Sequence, residues 1–138
     1  MPATSVNYLA VLVSAVTAFL VGAVWYSPLL FGKMWVEEHG FTSEKIAAMR
    51  ATAGRACGVS FLCYLVMGFV MSLLVAWTGV TTPEGGSRLG AVVWLGFAAT
   101  IGLTANMFSE KRITTFLLDA GYQLVYLMIM GTILAAWR

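Results

Sequence analysis

Apolar positions in this chain fall into four long blocks, at about residues 7–27, 57–77, 89–108 and 113–137. Each is close to the ~20 residues that an α-helix needs to cross a bilayer. Between the first two blocks, over 28–55, the pattern turns amphipathic. Leu30, Phe31, Met34 and Trp35 share one helical face, and Lys33 and Glu37 form an i,i+4 pair on another. The spacing predicts a helix capped by Ser27, with Pro28 as its first residue, ending at His39 before Gly40. A second short helix follows over 43–55, with Glu44 in its first turn. Such a segment lies in the membrane interface or folds back under the bundle; the alternative is a kinked continuation of the first block. The run TTPEGGSR at 81–88 reads as a plain outer loop. SEKR at 109–112 is short enough to make the last two blocks an antiparallel hairpin.

Composition sharpens this into a class. Of the 138 residues, 60% are hydrophobic and 10% charged, too few charges to cover the surface of a soluble domain of this length. The expectation is an all-α integral membrane four-helix bundle, one transmembrane domain over 1–138, with a cytoplasmic amphipathic helical segment between spans one and two. The first block is read as a retained span, since it has no basic leader and Trp25-Tyr26-Ser27-Pro28 is not a small-residue cleavage site. Lys33, Lys45, Arg50, Arg55, Lys111 and Arg112 fall on one side and only Arg88 and Arg138 on the other. The positive-inside rule then puts both termini outside, periplasmic in a bacterial inner membrane, and the 28–55 segment in the cytoplasm. Trp25 and Tyr26 would lie at the cytoplasmic interface, where amphipathic rings collect.

Small residues recur every four positions: Ala10, Ser14, Ala18 and Gly22 in span one; Ser60, Gly68, Ser72 and Ala76, with Tyr64 among them, in span two; Ala98 and Gly102, then Asn106, in span three. Lipid offers no hydrophobic drive between helices, so rows of this kind imply close backbone contacts. They serve a compact bundle or a homo-oligomer equally.

The polar residues inside the spans are the candidates for chemistry. Asp119 is the one acid well inside a span, where an isolated charge costs about 2.5–3.5 kcal/mol on insertion scales. Thr115, Asp119, Tyr122, Gln123 and Tyr126 follow helical spacing on one face of span four. Asn106 sits across the hairpin at a similar depth, Tyr26 ends span one on the same side, and Arg55 opens span two there. Two readings stay open. Asp119, with Gln123, Asn106, Tyr122, Tyr26 and Thr115, lines a polar cavity that binds a proton, cation or small solute; or Asp119 is held by Arg55, Asn106 and the tyrosines and fixes helix register.

Other chemistries are excluded or weak. A net charge of +2 with no basic aromatic cluster argues against nucleic acid. Cys57 and Cys63 lie on different faces of one helix, so they cannot bridge each other within it; they lack the short spacing and further ligands of a zinc site, and read as buried thiols. The single histidine, His39, reads as a helix-end residue. No nucleophile has a base placed beside it and no phosphate loop appears, so neither enzyme activity nor a metal or other cofactor is expected.

The run WYSPLLFGKMW is similar to a pattern, W-Y-x-P-x-x-F-G-x-x-W, that ends the first span in a family of small bacterial membrane proteins described only as a domain of unknown function. The matching residues are Trp25, Tyr26, Pro28, Phe31, Gly32 and Trp35, with Ser27 inside the run. The resemblance implies a four-span membrane domain and no established activity, substrate or cofactor. Two function classes follow from the whole sequence: a small oligomeric transporter or channel built on the Asp119 layer, or a non-catalytic accessory or scaffold protein that docks a membrane protein partner or lipid.

Overall fold

The computed structural model describes residues 5–137; Arg138, counted above on the outer side, and residues 1–4 lie outside them. The described residues are helical, with no strand among them. Helix α1 (Tyr8–Trp25) is capped by the Asn7 side chain, which accepts from the Ala10 amide at 3.1 Å. Helices α2 (Gly32–His39) and α3 (Ser43–Ala51) follow, then α4 (Ala53–Thr78). Helix α5 (Pro83–Val93) continues through a π-helical stretch (Trp94–Ala99) into α6 (Thr100–Phe108), and α7 (Ile113–Ala136) closes the chain. Taking α5 to α6 as one helix, four helices are long and apolar enough to cross a membrane. They are compatible with a multi-pass membrane protein.

Several boundaries differ from the sequence expectation. Ser27 and Pro28 do not start a helix. The Ser27 hydroxyl donates back to the Val24 carbonyl at 2.6 Å, and the chain turns through residues 27–31 before α2 begins at Gly32. The helix ends where expected, with Gly40 left-handed at φ 67°. The helix expected over 43–55 stops at Ala51, and α4 starts at Ala53, one turn early, so Arg55 belongs to α4. Most of the expected outer loop 81–88 is helix: Thr82 accepts from the Gly85 amide at 3.0 Å and Pro83 takes the first helical position. Removing that cap in Thr82→Ala should lower stability by about 1 kcal/mol, read as a fall in the thermal midpoint in detergent.

Helix α7 is the hub, packing against α5, α1 and α4 and holding ten of the buried residues. Helix α1 meets α4 along the small-residue row. Ala10, Ser14 and Ala18 are buried, and Gly68 lies opposite Ser14, where a Cβ would come within 2.9 Å of the Ser14 hydroxyl. The closest backbone approach lies elsewhere, between α5 and α7. A Cβ on Gly86 would fall on the Gly131 carbonyl oxygen, and one on Gly90 on the Leu127 carbonyl oxygen. Cys57 and Cys63 are free thiols and both are exposed on α4, not buried; Cys57 borders a cavity that keeps the neighbouring α2–α3 segment off it.

Candidate functional site

The end of α1 is tied to α7 by two consecutive aromatic residues. Trp25 donates from Nε1 to the Leu118 carbonyl at 3.1 Å, and Tyr26 donates from Oη to Asp119 Oδ1 at 2.6 Å. From the other side of α7, Trp94 in the π-helical stretch donates to the Ala120 carbonyl at 2.8 Å. Asp119 is thus fixed through the carbonyls on both sides of it, one by each indole, while its own carboxylate meets a phenol.

The turn after Tyr26 explains the W-Y-S-P…F-G…W run physically. The Phe31 amide donates to the Trp25 carbonyl and the Gly32 amide to the Ser27 carbonyl, each at 3.0 Å. A Cβ at Gly32 would lie 2.9 Å from the Ser27 carbonyl carbon and on the Tyr26 carbonyl oxygen, so only glycine closes this turn. The Phe31 ring packs on Trp25 with centroids 4.7 Å apart, and Trp35 meets Tyr26 edge-on at 5.9 Å. The Trp35 Nε1 atom is buried without a hydrogen-bond partner among the described residues. Pro28 is exposed and lines the cavity described next. Helix α2 is brought beneath α7 and further held by Glu38, whose carboxylate lies 3.5 Å from Arg112 just before α7.

A cavity of about 1030 Å³ opens between α1, α4 and the α2–α3 segment, with Asp119 and Tyr122 of α7 in its lining. Its wall also includes Phe19, Gly22, Tyr26, Trp35 and Tyr64, and its rim carries Lys33, Glu37 and Arg50. Tyr122 is buried and donates to the Ala18 carbonyl at 2.7 Å. Its oxygen is also 3.0 Å from that of Tyr64. A phenol has one hydrogen and a carbonyl only accepts, so Tyr64 is the donor in that second bond. Tyr126 continues the ladder away from the cavity, its hydroxyl 3.6 Å from Met67 Sδ.

Asp119 also borders a second, smaller cavity of about 160 Å³, shared with Asn106, Thr115 and Gln123. The polar groups expected in one layer are therefore divided by α7. Tyr26 and Tyr122 stand with Asp119 at the large cavity, and Asn106, Thr115 and Gln123 at the small one. Asn106 and Thr115 are largely spent on the hairpin. Asn106 Nδ2 donates to the Lys111 carbonyl at 3.2 Å and the Thr115 hydroxyl to the Arg112 carbonyl at 2.7 Å, with Asn106 Oδ1 3.3 Å from the same hydroxyl.

Arg55, the expected partner of Asp119, is not at the site. It is exposed on the first turn of α4, and among the described residues no ion pair reaches Asp119. Tyr26, the C-cap of α1, takes that place because α1 packs on α7 and brings its hydroxyl to the carboxylate. Sequence reading missed Tyr64, Gly22 and Trp94 as site residues. Tyr64 stood out only as a bulky member of a small-residue row, and Trp94 gave no signal at all.

An all-helical bundle with four membrane-compatible helices, signed at the α1–α7 junction by paired aromatic bonds, is the class that these observations define. The chain belongs to the family described as "Protein of unknown function (DUF1761)", whose model matches residues 9–135. No curated protein and no solved structure matches the chain.

Proposed function

We propose that this protein is a small membrane transporter or channel subunit in which Asp119 binds a proton, a cation or a small solute. One observation carries the reading: the Asp119 carboxylate borders a cavity of about 1030 Å³, and its hydrogen-bond partner is a neutral phenol. Of the partners that would hold Asp119 for helix register, only a tyrosine meets it among the described residues; neither the Arg55 cation nor the Asn106 amide does, and an intramembrane charge is costly unless paired. A carboxylate left facing a cavity is instead available to a ligand. The cations Lys33, Arg50, Lys111 and Arg112 lie at or near this end of the helices, which supports a cavity open to the cytoplasm of a bacterial inner membrane, with both termini outside. A path across the bilayer calls for a homo-oligomer, since the cavity occupies one end of one flank of a single bundle.

The test is flux in liposomes containing the full chain and loaded with a pH-sensitive dye, with sodium or potassium gradients imposed in turn. Asp119→Asn should lower the flux at least tenfold while its thermal midpoint in detergent stays within a few degrees of the parent's. Flux equal in parent and variant, or no flux above that of empty liposomes, overturns the reading in favour of an accessory protein that docks a membrane partner or lipid.

A further inference from the structure

The Asp119 cavity has a shape and lining that bear on what enters it, given that Asp119 is a ligand-binding group as read above. Its volume of about 1030 Å³ is at the upper end of sites that enclose drug-sized organic molecules. A bare sodium or calcium ion asks for a shell of several oxygens. Among the described residues that line the cavity, the one carboxylate besides Asp119 is Glu37, which is exposed at the rim. The inner wall is aromatic. Tyr26 meets Tyr122 edge-on at 5.4 Å and Trp35 edge-on at 5.9 Å, and all three rings line the cavity that the carboxylate borders. Ring faces and a carboxylate attract the same guest, a cation with low hydration cost.

The remaining charges do not cancel this preference. Lys33 and Arg50 oppose Glu37 at the rim, and all three are exposed, where water and salt screen them. Asp119 is half-buried against α1 and dominates the interior. We propose that the cavity binds a hydrophobic organic cation, of the quaternary ammonium or phosphonium kind, with its charge at Asp119 beside the aromatic wall of Tyr26, Trp35 and Tyr122 and its apolar groups against the α1 and α4 walls. This names the substrate class of the site proposed above.

Tetraphenylphosphonium and tetraphenylborate are matched in shape and opposite in charge, and serve as the probe pair. Binding of each to the full chain in detergent is measured by equilibrium dialysis, with the micelle background subtracted. The parent should bind the phosphonium at least tenfold more tightly than the borate. Asp119→Asn should remove that preference, and Lys33→Gln with Arg50→Gln should increase it about two- to threefold. Equal binding of both ions by the parent overturns the proposal and leaves a merely greasy cleft. Preference for the borate overturns it in favour of an anionic amphiphile held by Lys33 and Arg50. The selectivity of the parent decides the matter even if Asp119→Asn fails to fold. Loss of flux in Asp119→Asn without phosphonium selectivity removes the substrate class and keeps the functional reading; indifference of both flux and binding to Asp119 removes the two together.

Discussion

A single methyl group at position 86 is expected to unseat α5 from α7. In Gly86→Ala the new Cβ falls on the Gly131 carbonyl oxygen, 2.6 Å from its carbon and 2.7 Å from the Ala135 methyl. The obstacle is backbone, so no rotamer change relieves it and the two helices must separate. Overpacking in a well-packed interior costs about 1–3 kcal/mol, and more where backbone must move. The expected loss is about 3 kcal/mol, seen as a large drop in the thermal midpoint of the detergent-solubilised chain. Gly58→Ala provides the contrast, because a Cβ there meets nothing within 4 Å. It should stabilise α4 by up to about 1 kcal/mol through helix propensity alone. The same substitution with opposite signs at two helical positions isolates packing from propensity. Equal effects at both would mean that α5 and α7 do not cross at Gly86.

The second large effect reaches the cavity. A Cβ at Gly22 would lie 2.6 Å from the Tyr122 oxygen and 2.9 Å from its ring carbon, so Gly22→Ala drives the phenol off the Ala18 carbonyl and toward Tyr26. The expected cost is about 2 kcal/mol, overpacking together with a lost hydrogen bond. Tyr122→Phe alone should cost about 1 kcal/mol, since it forfeits the bond to Ala18 but fits the same space. The double variant should then cost less than the sum of the two by about 1 kcal/mol, because the atom nearest the new methyl is gone. Thermal or denaturant unfolding of the four proteins measures this coupling. Strict additivity would show that Tyr122 does not fill the notch at Gly22.

The four long apolar helices were legible because length and hydropathy are properties of a segment by itself. Asp119 stood out for the same reason: an acid in an apolar run is conspicuous wherever the run packs. The α1–α4 contact was legible from the row through Ser14 and Gly68. The Gly86–Gly131 contact was not, because Pro83, Gly85 and Gly86 carry the composition of a turn. In a dense bundle the poor helix propensity of glycine is outweighed by the approach it permits, and only the neighbouring helix reveals which side prevails. Ser27-Pro28 failed as a helix start for a related reason. Gly32 lets the chain fold back on the Tyr26 carbonyl, and that turn, not the local cap, sets where α2 begins. The partner of Asp119 was beyond reach because Tyr26, ending α1, and Arg55, opening α4, stand at the same end of the bundle, and the choice between them depends on how α1 and α4 are rotated against α7.

The α5–α7 crossing at Gly86 and Gly131 lies at the far end of the pair from the connector 109–112, so the two helices are joined covalently at one end and sterically at the other. They form a closed frame. The large cavity lies on another flank of α7, walled by α1, α4 and the α2–α3 segment. Widening that cavity leaves the contacts at Gly86, Gly90 and Gly131 in place, so the α5–α7 frame acts as a stator and α1 as a wall latched to it by Trp25, Tyr26 and Tyr122.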